Sequence, residues 1–509
     1  MGIVAKQSSQ NVLVLVTGLL LGAVNTMWVM PKAFEGFEEG WGLIRILTAW
    51  GTLLAQVLAM GMPATMIRFL PKVAKNNARE RQLISALLVI PALTFAVVGV
   101  VAAFMPADAL KWLDAESGWL LEGRVMAFLV MAGAFLAMLL LRALLAHRMR
   151  TVAVTFIQEV WLKGSYLALA VLYLQGLMPF ETFIRWFLIS YAAAVFLMIR
   201  EAQTVGIRLG RPSFLEDSKP MLTYSAFAFW NVGARVIAKN LDFVMVGALL
   251  GLASVPRYTF GFFIATVVAT PKRAMEHLLR AITSQAVNAH GPESSGGALQ
   301  QSARVQLAAS ASLLVAIWAG MPYLDLAMGE GYRGLQWVVL AIGLTHVAEA
   351  SAGTAGPILQ FSSRYRHSLP LNLGLVVLTI LTNFLFIPDQ LQVGSWNVPT
   401  LGWGVEGAAW ATGLTGFWIM AWQTSLMWRL FKIHPFSRAW VSTAGLSVLV
   451  AVLSRLAPVP EVGAWSAPVA CLVALAVGGV AGGTVLVLAW RLGALPELEH
   501  EIQQRRGRL

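Results

Sequence analysis

The sequence predicts an all-α polytopic membrane protein. About 14 transmembrane helices are expected, as two six-helix parallel-repeat lobes plus two extra C-terminal helices. Three observations predict it. Of 509 residues, 58% are hydrophobic and 12% charged, against about 45–50% apolar and about 25% charged in soluble domains. Apolar runs of membrane-spanning length recur along the whole chain. Basic residues alternate between rich and poor connections. This composition excludes a soluble enzyme, a secreted domain, a coiled coil and a disordered scaffold. Cys471 is the single cysteine and lies in an apolar run, so no disulfide framework or thiol metal site is expected. The seven histidines are scattered without ligand spacing.

The elements run in order. The first apolar run, 11–30, comes after Lys6. It is too long for a signal-peptide core and lacks a small-x-small cleavage site, so it is read as a retained helix. The other spans are expected at 41–67, 82–105, 125–146, 152–174, 181–199, 222–249, 256–275, 305–322, 335–359, 369–387, 405–428, 439–457 and 467–490. Backbone groups in lipid must pair within their own segment, so each span is a helix. At about 20 residues each, 14 spans use roughly 280 residues, and little chain is left outside the membrane.

Charge then sets the orientation. The termini and even-to-odd connections hold 26 of the 37 basic residues, among them Lys6, Lys75, Arg148, Arg150, Arg200, Lys272 and Arg505, Arg506 and Arg508 of the tail. The opposite loops hold five: Lys32, Lys111, Arg124, Arg257 and Arg333. Those loops are acidic instead, led by Glu35, Glu38, Glu39, Asp108, Asp114, Glu116 and Glu122. The positive-inside rule places both termini in the cytoplasm. The +12 net charge is thereby topological, and no nucleic-acid partner is expected. The longest cytoplasmic connection, 272–304, holds a surface-helix pattern and the turn-forming Gly291-Pro292-Glu293-Ser294-Ser295-Gly296-Gly297. No Walker P-loop occurs and no extramembrane domain fits, so no enzyme is expected.

Two basic turns, His147-Arg148-Met149-Arg150 and Ser363-Arg364-Tyr365-Arg366, lie 216 residues apart. The same offset carries Trp41 onto Arg257 and Asn11 onto Phe227. Spans 1–6 and 7–12 are therefore expected to repeat one design, with the substrate site between parallel repeats. The expected domains are an N-lobe (1–210), a C-lobe (211–435), spans 13–14 (436–490) and a cytoplasmic tail (491–509).

Charges inside spans are costly, about 2.5–3.5 kcal/mol each at the bilayer centre, so they should face a cavity or a partner. Span 7 carries Asn231, Arg235, Lys239 and Asp242 at helical spacing, bordered by Trp230. That stripe fits a cationic patch for an anionic ligand, with Lys239 and Asp242 partly paired. A salt-bridged packing seam is the alternative. Span 5 holds Glu159 and Lys163 at i,i+4, either a structural pair or a functional one. Arg45, Arg185 and Arg455 lie near outer span ends, where snorkelling competes with cavity lining. Arg45 gains weight from Thr48, Thr52 and Gln56 along one helical stripe. Glu349, near Thr345 and His346, can bind a cation, carry a proton or pair with Arg235 or Lys239; the choice stays open. Asn25, Asn372, Thr379 and Asn383 fit interhelical hydrogen bonding. Pro63, Pro271 and Pro357 are candidate kinks. Trp230 and Trp410 are candidate sugar-stacking residues.

The stretch Phe34-Glu35-Gly36-Phe37-Glu38-Glu39-Gly40-Trp41-Gly42-Leu43, with Gly61-Met62-Pro63-Ala64-Thr65-Met66-Ile67-Arg68-Phe69-Leu70-Pro71-Lys72, resembles the span 1–2 loop and span 2 exit of bacterial polysaccharide exporters. So do Asp242, Gly247, Tyr258-Thr259-Phe260-Gly261 and Pro271-Lys272-Arg273. These exporters belong to the multidrug/oligosaccharidyl-lipid/polysaccharide (MOP) flippase superfamily, whose polysaccharide, O-antigen and lipid II branches are the relevant ones. The resemblance implies MATE-like lobes around a central cavity, alternating access in the bacterial inner membrane, and a polyprenyl-diphosphate-linked oligosaccharide as substrate. It implies Arg235, Lys239, Arg45, Lys163 and Arg185 as diphosphate-binding cations. Asp242, Glu349 and Glu159 remain as coupling or charge-pairing acids. Spans 13 and 14 resemble the extra pair of the lipid II branch. No cofactor is expected beyond a coupling ion, sodium or proton. A monomer is expected, alongside polymerase or glycosyltransferase machinery. A multidrug/toxin antiporter of the same superfamily is the second reading; that branch often carries an acid in span 1, where this chain has Asn25 and Thr26.

Overall fold

A computed structural model of the chain describes residues 2–73, 76–106, 110, 118–213, 218–393, 396–456 and 467–494. The expectations at Lys75, Asp108, Lys111, Asp114, Glu116, the Lys6 side chain and Arg505, Arg506 and Arg508 lie outside the described residues. Two compact units emerge, Met1–Thr259 and Phe260–Leu509.

The first unit contains α1 (Gly2–Val24), α2 (Met30–Ala33), α3 (Glu38–Leu58), α4 (Met62–Val73), α5 (Asn77–Ala103), α6 (Gly118–Leu121), α7 (Val125–His147), α8 (Thr151–Phe156), α9 (Leu162–Leu174), α10 (Phe180–Thr204), α11 (Ser218–Ala228), α12 (Ala234–Leu250) and the start of α13 (Ser254–Thr266). Three joins are π-helical: Asn25–Val29, Ile157–Trp161 and Phe229–Gly233. The second unit continues with α14 (Thr270–His290), α15 (Gly296–Ala327), α16 (Gln336–Ser351), α17 (Ala355–Phe361), α18 (Ser368–Phe386), α19 (Gly404–Phe431), α20 (Arg438–Leu456) and α21 (Ala467–Arg491).

Among the described residues nine helices are long and apolar enough to cross a membrane, and the bent pair α16–α17 makes a tenth. Spans 5, 7, 8 and 12 of the sequence reading fall on helices outside that set. These are the ones broken or enriched in charge, glycine, threonine and tryptophan. The helix order of 218–431 follows that of 2–204: Gly2 and Ser218, and Glu38 and Ser254, begin matching helices 216 residues apart.

Packing cuts the chain later than the repeat does. In the first unit α11 and α12 lie on α3 and α4, because glycines let the backbones meet. A Cβ on Gly42 would stand 2.1 Å from the Leu252 carbonyl oxygen, and one on Gly61 2.1 Å from that of Ser225. Gly61 also has φ +74°, a conformation other L-residues rarely adopt. Ser225 Oγ donates to the Met60 carbonyl at 2.5 Å and closes this corner.

In the second unit α21 lies on α15 along a seam of small residues. Gly320 faces the Ala474 carbonyl, Gly478 that of Ala316 and Gly482 that of Ser312, with a would-be Cβ 2.5–2.7 Å from each oxygen. Spacing of four on both helices is the small-xxx-small pattern that brings membrane helices close. Span 14 packs tightly on α15 in this way. The loop after α18 adds a two-stranded antiparallel hairpin, β1 (Gln390–Val393) and β2 (Trp396–Pro399), with Gln390 opposite Pro399. Helix-period reading of that loop has no place for it.

Candidate functional site

The first unit carries a cation set among aromatic rings. Arg45 lies seven residues into α3, about 10 Å along the helix at 1.5 Å per residue. Its guanidinium stacks 4.1 Å from the Phe243 ring centroid on α12, a cation–π contact. Its Nε is buried and has no hydrogen-bond partner among the described residues. Tyr166, Tyr191 and Tyr258 lie in its surroundings. The Tyr166 hydroxyl accepts from the Trp41 indole. Beside it, Tyr258 donates to the buried Asp242 carboxylate at 3.3 Å, and its ring meets Phe243 edge-on at 5.0 Å. Gly247 lets Ile46 approach, with a would-be Cβ 2.7 Å from Ile46 Cδ1. The Asp242, Gly247 and Tyr258 motif is therefore the packed corner that positions Arg45.

The span 7 stripe divides on folding. Ala234, Ala238 and Asp242 form a buried row, whereas Trp230, Arg235 and Lys239 are exposed. Asn231 is half-buried in the π segment Phe229–Gly233. The expected partner of Asp242 is Lys239; Tyr258 also holds it. The Arg45 stripe divides too. Thr48 and Thr52 donate to carbonyls of their own helix at 2.7 and 2.8 Å, a local satisfaction common for threonine. Gln56 is buried instead against Gly233, across to span 7.

Lys163 and Glu159 form an ion pair of 2.6 Å, and Lys163 also donates to the Gly18 carbonyl at 3.1 Å. The pair clamps α1 to the π segment of span 5. Its charge is already matched, which sets it apart from Arg45. Arg185 is exposed on α10 next to the exposed Trp186, while Phe183, Ile184 and Phe187 form the buried face. Each π segment holds a singled-out polar residue: Asn25, Glu159 and Asn231. Such segments are frequent at functional sites. Asn25 is 3% exposed, and its Oδ1 has no partner among the described residues.

Glu349 resolves within the second unit. Lys272 Nζ lies 3.3 Å from its Oε2. Both parent spans break at this point. α13 passes through the 3₁₀ turn Val267–Ala269 into α14, with Pro271 in its first turn. α16 and α17 bend by 52° just after Glu349. Sequence alone shows Lys272 only as part of a cytoplasmic basic cluster; its neighbour Pro271 is the signal that it belongs to a broken span. A second residue that sequence reasoning misses is Glu80, buried in the first unit and accepting from His147 at 2.8 Å and Arg148 at 2.9 Å. Flanked by Arg79 and Arg81, it looks in sequence like loop charge.

Trp410 lines a cavity of about 650 Å³ in the second unit with Trp337, Phe386, Trp403 and Glu406. Arg455 stacks 3.8 Å over Trp318 and donates to Gln336 at 3.1 Å, so it is held by side chains. The Phe34 and Phe37 motif is aromatic packing: Phe34 is fully buried against Tyr173, Phe180 and Phe183.

No family model matches the chain, and no curated protein matches it. Solved structures do. The chain is similar to the lipid II flippase MurJ in its inward closed conformation, with TM-score 0.66 and 11% identity over 96% of this chain and 99% of that one. It is also similar to an inward-facing multidrug resistance MATE family transporter of the MOP superfamily, with TM-score 0.57 and 12% identity over 84% of this chain and 99% of that one. At these identities the likeness is one of fold, and it matches the all-α polytopic class read from the sequence.

Proposed function

We propose that the protein is a flippase that moves a polyprenyl-diphosphate-linked oligosaccharide from the inner to the outer leaflet of a bacterial inner membrane by alternating access. The observation that carries this reading is the likeness to a lipid II flippase over 96% of the chain. That share is too large to leave out both α20 and α21, whereas the 84% shared with the antiporter is not. The residues suit the substrate. A diphosphate calls for cations, and Arg45, Arg235 and Lys239 offer them, with arginine suited to bidentate phosphate contacts. Indole walls and a carboxylate in the Trp410 cavity suit sugar faces and hydroxyls. The polyprenyl tail stays in the bilayer. With no nucleotide motif in the sequence, a membrane potential, an ion gradient or substrate supply provides the driving force. A sodium ion or proton would act at the Lys272–Glu349 pair. The protein works as a monomer and hands its cargo to polymerase or transferase machinery.

The test is reconstitution of the purified chain into vesicles containing fluorescent undecaprenyl-diphosphate oligosaccharide. Membrane-impermeant dithionite should bleach nearly all of the probe in proteoliposomes and about half in empty vesicles, since only one leaflet is exposed there. Arg235→Ala should return the signal to the empty-vesicle value at unchanged protein level. Loss of ethidium driven by an ion gradient, with no lipid movement, would establish the antiporter instead.

A further inference from the structure

We propose that the first unit carries a second, separate site, for an anionic diacyl phospholipid of the inner leaflet. It is a cavity of about 660 Å³ where α1, α8 and α10 meet. Arg150, Arg200 and Glu201 stand at one end, and Val14, Phe156, Ile157 and Leu197 wall the rest. The lining is therefore amphipathic along its length. Arg150 to Ile157 is seven residues, about 10 Å along a helix, the step from a phosphate to the upper acyl chain.

Charge selects the occupant. Arg150 Nη1 lies 3.8 Å from Glu201 Oε1, and Arg200 is exposed with no ion pair among the described residues. Two guanidiniums against one carboxylate leave a net positive rim. The rim is also fixed in place. Met149 sits at φ +58°, and Arg150 N–H donates to the Leu145 carbonyl at 2.9 Å, with Met149 N–H to Ala146 at 3.0 Å. This is the Schellman arrangement, which closes a helix and sets the direction of the next segment. The same arrangement closes α10: Ile207 N–H donates to Ala202 and Gly206 N–H to Gln203.

Both ends belong to the basic connections that the charge count places in the cytoplasm, so the rim lies at inner-leaflet headgroups. There, basic pockets between helices attract anionic lipids. A free phosphate would engage the arginines but not the apolar walls. The site is also distinct from the Arg45 corner: no residue of α3 or α12, which carry Arg45 and its Phe243 partner, lines the cavity.

The experiment is native mass spectrometry of the full chain in detergent, titrated with dioleoylphosphatidylglycerol or dioleoylphosphatidylcholine. Half-occupancy by the glycerol lipid should need up to about thirtyfold less lipid than the choline one, the factor two basic contacts of about 1 kcal/mol each would give. Arg150→Ala with Arg200→Ala should erase the difference. Arg208→Ala, a basic residue outside the cavity, should not. Ala153→Trp, which fills the cavity and keeps both arginines, should also erase it; this variant decides the matter if the arginine pair fails to fold. Equal binding of the two lipids by the unaltered chain would overturn the proposal, as would a preference that survives Ala153→Trp. So would displacement of phosphatidylglycerol by glycerol 3-phosphate alone, or by undecaprenyl phosphate at equal concentration, since the first needs no apolar wall and the second is a substrate-like single chain.

Discussion

Arg45 is a half-buried cation stacked on an aromatic ring. Cation–π contact returns about 0.5–2 kcal/mol, against a burial cost of a few kcal/mol for a charge within the membrane. A residue kept at net cost to stability is the signature of a site. Arg45→Ala should therefore leave the thermal midpoint of the detergent-solubilised protein unchanged or raised, while lipid flipping falls at least tenfold. Arg45→Lys should keep the charge, lose the planar stack on Phe243, and give intermediate flipping. If Arg45→Ala unfolds the protein, Arg45 is a packing residue and the anion reading fails. Sequence marks Arg45 because an arginine in an apolar run is conspicuous. It cannot show Phe243, Tyr166 or Tyr191, which arrive from three other helices. The Glu159–Lys163 pair is legible because i,i+4 neighbours meet on any helix. The contact of Glu349 with Lys272 is not, because Lys272 lies 77 residues away.

At the scale of elements, breaks and seams decide the architecture. Pro271 announces one break in the sequence. The three π segments leave no trace, because an inserted residue in a helix has no compositional mark. The α15–α21 seam lies between these cases. Ala474, Gly478 and Gly482 repeat every four residues in plain view, yet such glycines only specify closeness, and Ser312, Ala316 and Gly320 name the partner. Adjacent residues test the seam cleanly. Gly478→Leu would drive a side chain into the Ala316 carbonyl, 2.5 Å from a would-be Cβ, whereas Gly479 meets nothing within 4 Å. Overpacking of this kind costs about 1–3 kcal/mol. Gly478→Leu should lower the thermal midpoint by several degrees and Gly479→Leu should leave it in place. Equal behaviour of the two would mean that α21 does not depend on this contact.

At the scale of the molecule, the fold class comes from composition and span counting, and a likeness over nearly the whole chain to a polytopic flippase fold agrees with it. The places where counting and structure part are informative. Spans 5, 7 and 8 carry Glu159 and Lys163, Arg235 and Lys239, and Lys272, and a helix that must hold charge cannot also be uniformly apolar. Orientation rests on the basic connections alone, since a fold has no inside or outside of its own. It makes a direct prediction. In a Cys471→Ser background, Ser363→Cys lies in the exposed basic turn after α17 and Gln175→Cys in the exposed loop after α9. A membrane-impermeant maleimide applied to intact spheroplasts should label Gln175→Cys and miss Ser363→Cys until the membrane is opened. The reverse pattern would invert the protein. Arg150 and Arg200 would then sit in the outer leaflet, and the phospholipid site would face the wrong lipids. The flippase reading would need its substrate to enter from the opposite side, where no lipid-linked precursor is made.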